Sequence, residues 1–143
     1  MNEIRYPIII HLDPDGLTVE IPDFDLVTQG DTVEECRLMA QEAINGCIKA
    51  NVASGFPIPR PSRRSGEGVE YVSPQPRLQA GLLLRFTRED QHLSQEEFAR
   101  RLGIKQRTYS DMENLKRTNL TMKTLDRLAL ELGKRVIVKF EAA

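Results

Sequence analysis

The chain of 143 residues is 40% apolar and 29% charged, with a formal charge of −1. This is the composition of a soluble globular protein, one domain or two small ones, and it excludes a uniformly basic nucleic-acid coat. Two cysteines are too few for a disulfide scaffold or an all-cysteine metal site. Pro7, His11 and Asp13 interrupt the only apolar run near the amino terminus, and nothing there has the form of a secretion signal, so a cytoplasmic protein without a membrane partner is expected.

The near-neutral average conceals a division. Residues 1–56 carry three basic side chains against ten acidic ones, residues 57–77 carry four against two, and residues 78–143 carry thirteen against nine. A basic carboxy-terminal half suits a phosphate partner, whose binding gains from counterion release and weakens with salt. The acidic amino-terminal half would repel the same DNA and could attract a basic protein, although acidic surfaces also simply aid solubility.

Ile4–Leu12 is rich in branched apolar residues and predicts a strand, with Asp13-Pro14-Asp15-Gly16 as a turn. Leu17–Ile21 alternates as a second strand and Leu26–Gln29 as a short third. Asp31 or Thr32 can cap the next helix, where Val33, Cys36, Ala40, Ala43, Ile44, Cys47 and Ile48 form an apolar stripe that must cover one face of the sheet. Cys36 and Cys47 share that face, but their Cα atoms lie roughly 16 Å apart at helical rise, too far for a bridge. Core thiols are the expected outcome. Beyond Asn51, alternating prolines in Phe56–Pro61 and the polar run 62–68 forbid helix, Val69–Ser73 has strand character, and the prolines of residues 74–77 mark a linker. The order strand, strand, strand, helix, strand indicates a small α+β layer at residues 1–73.

Residues 78–143 begin with a helix at Leu78–Gln91, its core expected at Leu82, Leu83 and Phe86. Ser94 followed by Glu97 is a capping box opening a second helix, whose Phe98, Ala99 and Leu102 share a face. Gly103 suits its end and Ile104 can plug the interhelical core. Lys105 opens a third helix with Tyr109, Met112 and Leu115 inward and Gln106, Arg107, Ser110 and Asp111 on the other face. Thr121 can cap a further helix bearing Leu125, Leu128, Ala129 and Leu132. Residues 135–140 alternate as a strand, which needs a neighbour for its backbone groups. Antiparallel pairing with the same strand of a second chain through Val136, Val138 and Phe140 would make a two-fold dimer. Docking onto the amino-terminal sheet is the alternative.

The residues Gln95, Ala99, Gly103, Ile104, Tyr109, Met112 and Glu113 give segment 94–114 a close resemblance to the lambda-repressor-like (Cro/C1, XRE) helix-turn-helix family. In such a motif the start of the second helix reads bases in the major groove, where Arg pairs with guanine and Gln with adenine. By position, the resemblance makes Gln106, Arg107 and Asp111 base readers, with Ser110 beside them. It makes Gln95, Lys105, Asn114, Lys116 and Arg117 contacts to the DNA backbone.

The amino-terminal half resembles the HicB antitoxins over about residues 4–73, through Tyr6–Ile10, Gly16–Phe24, Thr28–Glu35 and Ile58–Ser62. Relatives often have Pro-Gly-Cys where this chain has Phe24-Asp25-Leu26. The resemblance implies a partial ribonuclease-H-like fold that binds HicA, a small basic ribonuclease toxin, without assigning the residues that touch it. An antitoxin that occludes the toxin's active site and represses its own operon by binding operator DNA as a homodimer is therefore expected. A stand-alone XRE-type regulator with a ligand-binding or oligomerising amino-terminal domain is the alternative. A metal nuclease would draw on Asp13, Asp15, Glu20, Asp23 and Asp25, but Asp13 and Asp15 sit in a turn and Glu20 points away from the apolar face. No motif for a nucleophile, metal or cofactor is present, and no enzymatic activity is expected.

Overall fold

The computed structural model describes residues 3–116 and 120–142. The chain divides into two units, Met1–Gln79 and Ala80–Ala143.

The first unit has the expected element order. Strands β1 (Tyr6–Asp13), β2 (Gly16–Ile21) and β3 (Leu26–Gly30) are followed by helix α1 (Val33–Ser54) and strand β4 (Val69–Val72). They form one antiparallel sheet in the order β3-β2-β1-β4. Because side chains alternate along a strand, the register Tyr6↔Val72, Ile10↔Val19 and Ile21↔Leu26 puts Tyr6, Ile8, Ile10, Val19, Ile21 and Val72 on one face. Helix α1 covers that face with Cys36, Ala40, Ile44 and Ile48, each fully buried. Val33, expected in this stripe, is exposed because it lies in the first turn, beyond the packed part of the sheet. Thr32 is the cap, its hydroxyl accepting from the Glu35 amide at 3.1 Å. Both cysteines are free, Cys36 buried and Cys47 half-buried.

The family-like residues of this unit lock to one another. Asp23, in a 3-10 turn at Pro22–Phe24, accepts from the Ser62 hydroxyl at 2.6 Å and the Ser62 amide at 2.9 Å. Tyr6 donates to the Pro59 carbonyl at 2.7 Å. The proline-rich segment is thus tied to the sheet at two points. Asp25, where relatives often have the Pro-Gly-Cys step, adopts a left-handed conformation with φ of 51°; Asp is among the few residues that tolerate it at small cost.

The linker expected at residues 74–77 is ordered structure. Pro74 is buried, the Gln75 amide donates to Asn45 at 3.0 Å, and helix α2 (Pro76–Asp90) already begins at Pro76. Proline fits there because a first-turn residue needs no amide donor.

The second unit comprises the rest of α2 with α3 (Gln95–Leu102), α4 (Gln106–Glu113) and α5 (Met122–Glu131). Their core gathers Leu84, Phe98, Ala99, Leu102, Tyr109, Leu128 and Leu132. Of the α2 core residues expected, Leu82 and Phe86 are buried, whereas Leu83 is half-buried and Leu84 takes an inward place. Residues 135–140, expected as a strand, carry no strand pairing within the single chain. Val136 is half-buried, while Val138 and Phe140 are exposed, Phe140 at 95%. An extended segment becomes a strand only where a neighbour completes its ladder.

Candidate nucleic-acid interface

The two helices of the motif are built by local signals. Ser94 and Glu97 form the reciprocal capping box, with the Glu97 amide donating to the Ser94 hydroxyl at 3.0 Å and the Ser94 amide to the Glu97 carboxylate at 2.9 Å. These hydrogen bonds hold the Glu97 carboxyl below its ordinary range. Gly103 ends α3 in the left-handed conformation, φ 70°, as the tight turn into α4 requires. Phe98 and Tyr109 then meet edge to face, their rings 4.9 Å apart, and fix one helix against the other.

Behind α4 sits an ionic lock that was not foreseen. Glu113, fully buried, accepts from Arg88 Nε at 2.9 Å and Arg88 Nη2 at 2.6 Å. Gln95 Nε2 donates to the same carboxylate at 3.2 Å, and Arg85 lies 3.4 Å away. Arg88 Nη1 also donates to the Leu93 carbonyl at 2.6 Å. One carboxylate therefore joins α2, the start of α3 and the end of α4. Burial raises its pKa, but the Arg88 hydrogen bonds and charge outweigh this and hold it below the usual carboxylate range. The adjoining Tyr109 hydroxyl is pushed upward, chiefly by burial and then by the Glu113 charge. Glu113 follows Tyr109 by four positions, so helical spacing placed it on the inward face; only its charge argued against burial there.

The outward face of α4 divides into two groups. Lys105, Gln106 and Arg107 are exposed at the amino-terminal end, whereas Ser110 and Asp111 are half-buried further along. Asn114 accepts from Arg85 Nη2 at 2.6 Å and donates to the Ser110 hydroxyl at 2.9 Å. Gln95, Asn114 and Ser110, expected at the DNA surface, thus have polar groups engaged inside the unit. Lys116 is exposed, and Arg117 lies outside the described residues.

The carboxylates of the first unit have other partners. Asp23 holds Ser62, and Asp13 accepts from Thr18 at 2.8 Å. Among the described residues no three His, Cys, Asp or Glu converge as a metal site would need, and no helix is long and apolar enough to cross a membrane.

Comparison with known proteins matches both units. Residues 5–72 fit the model described as HicB-like antitoxin of a bacterial toxin-antitoxin system, and residues 84–137 fit the helix-turn-helix model. Two proteins of Photorhabdus laumondii are similar. Antitoxin HicB 1 is 27% identical over 143 residues, covering 99% of this chain and 90% of the relative. Antitoxin HicB 2 is 32% identical over 105 residues, covering 73% of each. A HicB-like sheet layer followed by a helix-turn-helix, with matches across both units, places this chain in the HicB antitoxin family, in the branch that carries an XRE-type DNA-binding domain.

Proposed function

We propose that the chain is the antitoxin of a HicA-HicB pair: its acidic amino-terminal domain occludes the active site of a small, basic, mRNA-cleaving HicA-type ribonuclease, and its second unit represses the operon encoding both. The observation that carries the DNA half is the ridge of Lys105, Gln106 and Arg107, exposed at the start of a helix whose rear is clamped by Arg88 and Glu113. A rigid backing lets those side chains meet base edges in one pose, which discrimination requires. Gln106 and Arg107 read bases and Asp111 flanks them; Lys105 and Lys116 meet phosphates. Gln95, Ser110 and Asn114 act mainly by positioning the helix.

Residues 135–140 pair with their counterpart in a second chain, which sets the two α4 helices on successive major grooves. The exposure of Val138 and Phe140 supports this reading. Co-expression with a HicA-type toxin from the same genome tests the antitoxin half. Restored growth and a stable complex are expected; persistent toxicity with specific DNA binding intact would leave a regulator that is not an antitoxin.

A further inference from the structure

The two edges of the sheet are treated differently. At one edge β4 is four residues long, carries Glu70 in a bidentate pair with Arg37, and has its Tyr71 hydroxyl bonded to both the amide and the carbonyl of Arg64. Short length, a charge and an overlying loop are the usual protections of an edge against unwanted pairing. At the other edge β3, Leu26–Gly30, is nearly as short at five residues but differs in composition. It contains no charged residue and no proline, and its five residues pair with β2 in an uninterrupted register, without a bulge. Val27 is 71% exposed on the face away from α1 and Gln29 is exposed beside it. In an antiparallel ladder alternate residues turn their amides and carbonyls away from the neighbouring strand. Among the described residues, no backbone-to-backbone hydrogen bond other than those to β2 reaches β3.

The surroundings of this bare rail select its occupant. Asp25 is exposed at one end, and Asp31, Glu34 and Glu35 are exposed at the other. Pairing with a second copy about a two-fold axis at Thr28 would set Asp25 opposite Asp31 of the other chain, twice, and like charges directly opposed are destabilising. A strand bearing Lys or Arg near its ends meets attraction at the same points.

We infer that the outer edge of β3 is a docking site at which a basic partner protein adds an extended segment as a fifth strand, with Asp25 and Asp31 engaging its cationic side chains. The inference rests on the antitoxin reading, under which that partner is the ribonuclease toxin. Main-chain hydrogen bonds supply the affinity and the acidic ends set register and partner choice.

Amide hydrogen exchange on the full-length chain, alone and with a HicA-type toxin silenced at its active site, tests it. The outward amides of residues 26–30 should slow by about tenfold or more on binding while those of residues 69–72 do not. A double variant, Asp25→Asn with Asp31→Asn, keeps a residue that tolerates the left-handed turn and should weaken the complex about fivefold, with a smaller dependence on salt. A stable complex without slowing at residues 26–30 would overturn the docking site and leave the antitoxin reading standing. Absence of any complex would remove both. Slowing that grows with concentration of the chain alone would give the edge to a second copy and overturn the basic partner.

Discussion

Arg107 and Glu113 sit on the same short helix and do opposite work. Arg107 is exposed near the amino-terminal end, where a guanidinium can reach a guanine edge. Replacing it with Ala should lose about 1–3 kcal/mol of discrimination at one base position, read by competition between operators differing at that base. Lys105→Ala should instead weaken operator and random DNA alike and lower the salt slope by about one. Glu113 touches no DNA in this arrangement but neutralises a nearly buried Arg88. Glu113→Ala leaves that charge uncompensated and should cost the second unit about 3–5 kcal/mol, measured by chemical denaturation. Substituting both members by apolar residues of similar volume should cost far less, since the solvation penalty disappears with the charges. Because the folded pKa of Glu113 lies below its unfolded value near about 4.3, its contribution is present above that value and is lost as pH falls through the folded pKa. Melting followed from neutral to acid pH should show this loss, and Glu113→Gln should remove that component.

Helix α2 approaches the end of α4 closely at Gly81. A Cβ on Gly81, inside α2, would stand 2.6 Å from Leu115 Cδ2 and 3.1 Å from the Glu113 carbonyl oxygen. The Leu115 methyl is the end of a side chain that can turn away, so the cost rests on the Glu113 backbone carbonyl, which cannot. Helix propensity alone favours Gly81→Ala by about 1 kcal/mol. The contact reverses the sign: a net loss of about 1–3 kcal/mol is expected, visible as a lowered melting temperature, with operator affinity reduced as α4 shifts. A stabilised variant would show that α4 yields easily, and the rigid-backing account of base reading would fall with it.

The chain as a whole joins a layer with ten acidic residues in its first 56 positions to a helical unit with an excess of basic ones. Opposite charges of this kind suit opposite partners. The proposed assembly uses the outer edge of β3 and the segment 135–140. If the proposed strand pairing holds, removing residues 135–143 from the full-length chain abolishes dimerisation, read by light scattering, and reduces affinity for a two-half-site operator to that of a single half-site. Binding to the toxin should survive, because the proposed docking site lies in the other unit.

Element order and type were legible from periodicity and punctuation: alternation over β2, the Thr32 cap, the Ser94 to Glu97 box and the Gly103 stop each act within a few residues, so their outcome is written locally. The outward position of Gln106 and Arg107 followed from the same spacing. Other features depend on neighbours distant in the chain. Asp23 clamps Ser62 across 39 positions and Glu113 receives Arg88 across 25, and neither partnership has a sequence period. Leu84 rather than Leu83 faces inward because the crossing of α2 with its neighbours sets the helix rotation. Gln95, Ser110 and Asn114 were readable as polar and near the DNA face, yet folding turned their hydrogen bonds inward. Local propensity specifies which segments become helix or strand. Burial, which charges meet and which edge stays bare arise only when those segments pack.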